Sequence, residues 1–265
     1  MTLSRPVKII LITLSAAALI ALVVVGNITR NNSFVRNIEV SMDYRDGDSL
    51  VLAEELEKLL QEKMPWVIEQ TIKEIDREEI RNMIESSPYV EQAEVSITMG
   101  CVILIKAVQR RPIVRVFRGN EEYYLDGHGK RVPLSEHGSY DVLVGSGNLK
   151  RGANVEKVWI MARYLDERQE YGCLFDQLYI NEEDEIVAVP KIGNHIVIVG
   201  NLEDLDAKMA HLMHFYQKAM PIVGWEKYSQ VSLKYRGQVI CTKRGALVNE
   251  EEFQHQEDKH LETQN

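Results

Sequence analysis

The side chains in this sequence that could bind a metal do not have the spacing that a metal site requires. His211 and His214 lie three residues apart in a predicted helix, so their imidazoles could face the same side. No HExxH motif and no nearby cluster of Cys or Asp completes a ligand set. A solvated or partly packed histidine pair explains this spacing with fewer assumptions. The sequence therefore predicts no metal site.

Acidic runs are the other candidates for chemistry. Glu121-Glu122 and the run Glu182–Glu185 could flank a sugar bond, as the paired carboxylates of a glycosidase do. Acidic runs at strand ends are more commonly solvated turns, and the segment Asp126–Gly129 (DGHG) fits a hairpin turn. No nucleophile elbow, Walker loop or dinucleotide fingerprint is present. We therefore expect a protein that works by binding, without catalytic residues or a cofactor.

Composition narrows the class further. The chain has 265 residues, 45% of them hydrophobic, with 31 Lys and Arg against 40 Asp and Glu, a formal net charge of −9. That is ordinary globular composition, and the acidic balance argues against nucleic acid as a partner, because phosphate contacts need clustered cations. Cys101, Cys173 and Cys241 are too few for a disulfide scaffold and form no CxxC spacing.

The N-terminal segment is long and apolar enough to cross a membrane. From Ile9 to Val25 only Thr13 and Ser15 are polar, and extension to Ile28 gives twenty residues. A helix of that length is about 30 Å long, which matches a bilayer core. A cleaved signal peptide is the alternative, but its apolar region is usually only about 7–15 residues long. We favour a transmembrane helix over residues 9–28, a cytoplasmic leader over 1–8 and an exported remainder.

Residues 34–111 have the pattern of a small α+β domain. A strand is predicted at Val35–Val40, and leucines at helical spacing follow it between Leu52 and Leu60. A second helix begins at Asp76, whose side chain can cap it. Alternating residues from Ala93 to Ile97 and the apolar run Val102–Val108 then predict a hairpin. The order strand, helix, helix, strand, strand indicates one sheet with one face covered.

Residues 112–244 are predicted to form a mostly antiparallel β domain with two helices. The helices are expected at residues 154–170 and 205–219. Residues 245–265 are polar and acidic and are expected to be a disordered tail. Strands are predicted at residues 113–117, 122–125, 142–144, 177–181, 186–189, 195–199, 230–235 and 238–242.

Several segments, taken in order, resemble the FtsQ/DivIB family of bacterial cell division proteins. Ile84–Val90 (IESSPYV), Ala93–Val95 and Gly100–Pro112 resemble the POTRA domain of that family. Its following β domain is resembled by Tyr123–Gly129, Pro133-Leu134, Trp225–Tyr228 and Val231–Lys243. One departure is the segment Gly145–Gly147 (GSG), where the family usually has a single TG.

The resemblance implies a noncatalytic scaffold of the division machinery. Members bind the single-pass proteins FtsL and FtsB at the division septum and link early division proteins to the FtsW/FtsI peptidoglycan synthases. The implied location is the inner membrane, with the N-terminus cytoplasmic and the C-terminal domains periplasmic. A POTRA-containing outer-membrane assembly or transport factor and a membrane-anchored cell-wall hydrolase are the alternative functions.

Two candidate sites follow from the resemblance and from the physics of sheet edges. A terminal edge strand leaves backbone groups unpaired, so an extended partner segment can add a strand there. A positive cluster of Lys234, Arg236, Lys243 and Arg244 would then select an acidic partner, although lysines at sheet edges can also simply prevent aggregation. Tyr89 and Val90 are a candidate recruitment surface, with corner packing as the alternative. The predicted partner-binding residues are Leu233, Lys234, Tyr235, Arg236, Gln238, Val239 and Lys243.

Overall fold

The computed structural model describes residues 5–45 and 48–245. They form two compact units, the first made of the described residues up to Pro112 together with Arg131–Asp141, the second of Ile113–Lys130 and the described residues from Val142 onward. The helices are α1 (Arg5–Asn31), α2 (Ala53–Lys63), α3 (Arg77–Glu85), α4 (Gly152–Asp166), α5 (Leu205–Lys218) and α6 (Met220–Val223), with a 3₁₀ helix at Pro65–Glu69. The strands are β1 (Asn37–Asp43), β2 (Val90–Ile97), β3 (Val102–Gln109), β4 (Pro112–Arg118), β5 (Glu121–Asp126), β6 (Arg131–Val132), β7 (Leu143–Gly147), β8 (Phe175–Ile180), β9 (Ile186–Pro190), β10 (Ile196–Gly200), β11 (Tyr228–Ser232) and β12 (Ile240–Lys243).

Helix α1 contains one segment that is long and apolar enough to span a membrane. This segment covers Thr13–Asn31, and none of it is buried against the rest of the chain. Nineteen residues of helix rise about 28 Å, close to the thickness of a bilayer core. The predicted N-terminal apolar helix is confirmed. Residues 246–265 of the predicted tail lie outside the described residues, and so do residues 1–4 of the predicted leader.

The first unit contains the βααββ order that the sequence predicts. Its sheet has the strand order β1-β3-β2, with β1 parallel to β3 and β2 antiparallel to it. Asp76 caps α3 as expected, because its carboxylate accepts hydrogen bonds from the backbone N–H groups of Glu78 (2.9 Å) and Glu79 (3.2 Å). The two helices cover one face of the sheet. The core lies between the helices and the sheet, and it includes Leu56, Leu60, Ile80, Ile84, Ile103, Ile105 and Ala107.

The segment Arg131–Asp141, which the sequence analysis assigns to the β domain, packs in the first unit. Buried Gln109 is its main attachment: the side-chain amide accepts from the backbone N–H of Leu50 at 2.6 Å and donates to the Tyr140 hydroxyl at 2.9 Å. Ser135 donates from its hydroxyl to the Leu50 carbonyl at 2.6 Å. The other predicted domain boundaries stay predictions.

The second unit is built on a mixed sheet. Its strands follow the order β12-β11-β10-β9-β8-β7-β4-β5. The pairs β8–β9, β9–β10 and β11–β12 are antiparallel, as expected, but β4–β7, β7–β8 and β10–β11 are parallel. The predicted α+β fold class is confirmed, and within it the sheet of the second unit is mixed. Because parallel neighbours need a crossover, α4 connects β7 to β8 and α5 with α6 connects β10 to β11.

Both predicted helices of the second unit are present, each ending slightly earlier than expected. Helix α4 buries Val158, Met161 and Leu165, and α5 buries Met209 and Leu212 in the same core. These helices follow an i, i+3, i+4 spacing, which is why the sequence reveals them. The remaining buried core residues of the sheet include Val114, Val116, Phe175, Leu178, Ile180, Ile186, Val197, Val199 and Val231.

Glycines 145 and 147, in the segment that departs from the family pattern, lie where β7 closely approaches α4 and β8. A Cβ atom on Gly145 would lie 2.6 Å from Cγ1 of Val158 in α4. Gly147 has φ +94°, and a Cβ atom there would lie 2.2 Å from the carbonyl oxygen of Ile180. Strand β7 therefore needs glycine at both positions, since only glycine lets the helix and the neighbouring strand come this close.

Asp184, in the acidic run, ties the turn between β8 and β9 to the start of α4. Its carboxylate accepts from the side-chain amides of Asn148 (3.0 Å) and Asn154 (2.7 Å) and from the Arg151 guanidinium (2.9 Å). Its backbone carbonyl accepts from the Lys157 ammonium at 2.7 Å. This part of the acidic run is therefore structural.

We predict that Asp184→Ala lowers the free energy of unfolding by roughly 2–3 kcal/mol, because hydrogen bonds with charged groups are stronger than neutral ones. Buried Asn154 would lose the Asp184 carboxylate as an acceptor and keep only the Asn148 carbonyl. Urea unfolding measures the change. The exposed neighbour Glu183 provides the control, since Glu183→Ala is expected to stay within about 0.5 kcal/mol of the parent. Equal effects of the two substitutions would contradict this role of Asp184.

Candidate functional site

The edge of the second unit's sheet is the candidate functional site. β10, α5 and α6 deliver the chain to β11, which lies between β10 and β12. In the described part of the chain, β12 pairs with β11 alone. Its four residues run from half-buried to exposed, with the Ile240 side chain 44% exposed. The sequence predicts a free edge on these last strands, and among the described residues the sheet ends at β12.

The outward backbone groups of β12 can be identified from the bonds at its end. The Arg244 N–H donates to the Lys227 carbonyl at 2.9 Å, and the Thr242 carbonyl accepts from the Ser229 hydroxyl at 3.4 Å. In an antiparallel ladder, alternate residues direct their backbone groups to the same neighbour. The backbone groups of Cys241 and Lys243 therefore point away from β11. They offer donors and acceptors to an extended segment placed alongside.

Leu233–Val239 connects β11 to β12 as a loop, whereas the sequence predicts that β11 continues to residue 235. The strand ends at Ser232, and the chain turns through Gly237, whose φ is +72°, with the Gln238 N–H donating to the Tyr235 carbonyl at 3.1 Å. Leu233 is buried and packs in the core of the second unit. Tyr235 is 57% exposed, and Gln238 is exposed while Val239 is half-buried.

A groove of about 240 Å³ runs between this loop and the first turns of α5. The loop contributes Lys234 and Tyr235, and the helix side contributes Asp204, Lys208 and His211. The groove thus brings together five of the seven predicted partner-binding residues. Lys234, Tyr235, Arg236 and Gln238 are exposed there, and Leu233 is buried. Lys243 lies on β12 itself.

The predicted positive cluster is partly neutralised by carboxylates that sequence reasoning missed. The Lys234 ammonium lies 2.5 Å from Oε1 of Glu185, and this hydrogen bond raises the pKa of Lys234 above its usual value. Arg236 lies 3.6 Å from Oδ2 of Asp204, with its own side chain 92% exposed. Partners this far away in sequence carry no local signal. Lys243 is exposed at the edge.

Arg244 holds the end of β12. Its guanidinium donates to the carbonyl oxygens of Glu226 (3.2 Å), Tyr228 (3.2 Å) and Asn194. These carbonyls belong to the approach to β11 and to the turn before β10. Arg244, which the sequence analysis places in the positive cluster, therefore works as a clamp that fixes the edge strand.

A buried aromatic cluster lies beneath these strands. Nε2 of His195 is 2.7 Å from the Tyr216 hydroxyl, and Trp225 packs against both rings. Burial lowers the pKa of His195, positively charged Arg244 adds to the shift, and Glu226 opposes it. Nδ1 of His195 is buried without a hydrogen-bond partner among the described residues. A neutral imidazole is therefore part of the support of the edge.

Of the two residues of the candidate recruitment surface, Tyr89 is partly exposed and Val90 is buried. Val90 is fully buried in the first unit's core, so it supplies the corner packing that the sequence analysis gave as the alternative. Tyr89 is half-buried, and its hydroxyl donates to the Leu134 carbonyl at 3.1 Å. A recruitment role for Tyr89 stays a prediction.

The other candidates for chemistry do not assemble into a site. His211 and His214 are both exposed on α5, and the described residues contain no group of three or more His, Cys, Asp or Glu that could hold a metal ion. Glu122 is bonded to Arg115. Glu182 and Glu183 are exposed at the turn between β8 and β9.

Two family models match successive regions of the chain. Residues 111–242 match the family model described as FtsQ/DivIB, C-terminal related, and residues 33–107 match a POTRA-like domain. The cell division protein FtsQ of Cereibacter sphaeroides is 30% identical over 127 residues, which are 46% of this chain and 40% of that protein. The matched region thus spans about two fifths of the length of this curated relative.

We predict that acid lowers the stability of the second unit because His195 is buried there. The unfolded imidazole binds a proton below its ordinary pKa of about 6.5, whereas the folded one, with a lowered pKa, resists it. The free energy of unfolding should therefore fall as the pH drops below about 6.5, by up to about 1.4 kcal/mol per pH unit from this residue. Urea unfolding between pH 7.5 and 5.5 should show a shallower pH dependence for His195→Gln than for the parent.

His214→Gln is the matched control, because His214 is exposed on the same unit. Its stability curve should follow the parent curve at every pH. Parallel curves for the parent and His195→Gln would contradict the role assigned to the buried imidazole.

Proposed function

This chain belongs to the FtsQ/DivIB family of cell division proteins, and from that membership we propose that it is a noncatalytic scaffold of the bacterial division machinery. In this role it binds FtsB-like and FtsL-like single-pass proteins. Through them it links early division proteins to septal peptidoglycan synthesis by the FtsW/FtsI complex.

The proposed location is the inner membrane at the division septum. Helix α1 would be the single anchor, with the N-terminus in the cytoplasm and both folded units in the periplasm. The length and apolar surface of Thr13–Asn31 support the anchor, and the POTRA-like region that follows it supports the exported arrangement. Tyr89 would contribute to recruitment through the first unit.

The observation that carries the proposed binding mode is the free edge of β12. An extended partner segment can pair with the outward backbone groups of Cys241 and Lys243, extending the sheet by one strand. Exposed Tyr235 supplies apolar contact area beside that edge, and Arg236 and Lys243 favour an acidic segment. Backbone pairing by strand addition depends little on which side chains the partner carries. The loop Leu233–Val239 would therefore supply the specificity for the partner's sequence.

We predict that Lys243→Pro weakens binding of an FtsB-like partner by at least tenfold, about 1.4 kcal/mol. Proline removes the outward N–H and places a ring where the added strand would lie. The affinity is measured by titrating the purified full-length chain in detergent with the partner's extended segment. The same variant should fail to restore septation in cells depleted of the parent chain.

Lys243→Ala is the control, because it removes the charged side chain and keeps the backbone donor. It should bind at least several times more tightly than Lys243→Pro. Urea unfolding checks that both variants are folded. If proline and alanine weaken the partner equally, the added strand does not pair at this edge.

A second prediction tests charge selection. Arg236→Glu should weaken partner binding several-fold at low salt, chiefly by slowing association, and the effect should shrink at high salt. Arg236 is a cleaner probe than Lys234, because the Arg236 side chain is 92% exposed and only loosely paired with Asp204. Lys234→Glu would put a carboxylate directly against half-buried Glu185. Stopped-flow association rates at two salt concentrations measure it.

The matched control is Lys150→Glu, a charge reversal at an exposed position of the same unit. It changes the net charge equally but lies outside the groove. Equal slowing by both reversals would mean that only the overall charge matters, which would remove Arg236 from the proposed interface.

A further inference from the structure

We propose that the first unit rests on the lipid headgroups of the bilayer that α1 crosses, through a membrane-facing surface made of Phe34, Trp66, Ile68 and Met99. This inference rests on the proposed function in one respect, namely that α1 is a membrane anchor. The occupant of the surface is the lipid bilayer itself.

These four side chains are exposed although they are large and apolar. Phe34 is 63% exposed, Trp66 44%, Ile68 43% and Met99 85%. They come from three separate parts of the first unit: the chain just after α1, the 3₁₀ helix at Pro65–Glu69, and the turn between β2 and β3. Exposed apolar side chains that lie together on one surface are typical of sites that contact another apolar phase.

Backbone hydrogen bonds fix the second of these parts to the end of α1. The Lys73 N–H donates to the Asn31 carbonyl at 3.0 Å, and the Ile72 N–H donates to the Ser33 carbonyl at 2.9 Å. Phe34 forms an antiparallel bridge with Thr71. The segment that follows Trp66 and Ile68 is thereby held against the first residues after the membrane helix.

The turn between β2 and β3 is fixed to the same place. The Arg36 N–H donates to the Cys101 carbonyl at 2.9 Å, and the Arg30 guanidinium donates to the Ile97 carbonyl at 3.3 Å. Met99 lies within that turn. All three parts of the surface therefore meet where α1 ends.

The height of this surface above the hydrocarbon follows from helix geometry. Ile28 is the last large apolar residue of α1, and three further residues to Asn31 rise only about 4.5 Å. The headgroup layer on each side of a bilayer is about 5–8 Å thick. Residues bonded to the end of α1 thus lie at headgroup depth, where tryptophan is favoured because its ring is amphipathic.

The charges near the surface favour apolar insertion over attraction by net charge. Exposed Arg36 and Lys73 lie in the same segments as exposed Glu69 and Glu74. The Glu74 carboxylate accepts hydrogen bonds from the backbone N–H (3.0 Å) and the hydroxyl (2.7 Å) of Thr71. We therefore expect the contact to depend weakly on salt and on the fraction of anionic lipid.

Tryptophan fluorescence tests the proposal in the full-length chain reconstituted into phosphatidylethanolamine/phosphatidylglycerol vesicles. A nitroxide on the lipid headgroup quenches only nearby rings. The emission of the parent minus that of Trp66→Phe gives the contribution of Trp66, which should fall at least about twofold when the nitroxide lipid is included, as expected for a ring at the interface. Trp159 and Trp225, which remain in Trp66→Phe, report the background.

The matched control is Glu54→Trp in the Trp66→Phe background. Glu54 is exposed in the first turn of α2. Helix α2 runs about 15 Å from there toward Pro65, where the 3₁₀ helix that carries Trp66 begins. Glu54 therefore lies far from the proposed membrane-facing surface. The tryptophan introduced by Glu54→Trp should not be quenched. Quenching of this introduced ring equal to that of Trp66, or no quenching of Trp66, overturns the proposal.

A sedimentation assay separates this outcome from failure of the anchor. The chain should stay with membranes after an alkaline wash whether or not Trp66 touches lipid. Release by the wash would refute the anchor and with it the proposed function. Retention without quenching would refute only the membrane-facing surface.

Discussion

Backbone hydrogen bonding at the edge of a sheet is the constraint on which this structure depends. A strand with a neighbour on one side leaves half of its N–H and C=O groups to water or to another chain. In the described part of the chain, β12 is such a strand, and it is only four residues long. A short edge strand must be held in register from its other side before it can offer those groups as a template, and several features of the second unit do this.

The support for the edge comes from parts of the chain that are far from it in sequence. Arg244 binds three carbonyl oxygens around β10 and β11, and Glu185 at the start of β9 binds Lys234 in the loop. His195 and Tyr216 fill the space beneath with a neutral, hydrogen-bonded pair. The parallel pairing of β10 with β11, which α5 and α6 make possible, puts these groups within reach of one another.

The first unit shows a comparable dependence on backbone bonds at its junction with α1. Residues 31–36 are bonded to the segment after the 3₁₀ helix and to the turn between β2 and β3, so the chain leaves the helix directly into the sheet. Buried Gln109 plays the corresponding role at the other end, where it binds Leu50 and Tyr140. Because these bonds begin at Asn31, the last residue of α1, no free linker separates α1 from the sheet of the first unit.

The sequence by itself determined the elements whose signal is local. Apolar length alone indicates α1, helical spacing and the Asp76 cap indicate α2, α3, α4 and α5, and alternation indicates most strands. The ordered segments from Ile84 to Lys243 indicate the family. The signal for each helix or strand is carried by residues of that element, and the family signal is carried by the order of short segments along the chain. Both can therefore be recognised without knowledge of the packing.

Tertiary structure alone decided the features that join distant residues. Strand direction in the second sheet depends on which strands become neighbours, which is why the sheet is mixed where a mostly antiparallel one was expected. Arg131–Asp141 belongs to the first unit because Gln109, Leu50 and Tyr89 hold it by hydrogen bonds. Val90 is buried in the core of the same unit. Lys234 and Arg236 have carboxylate partners 49 and 32 residues away in the chain. A charge pattern in one segment cannot reveal partners that only folding brings close.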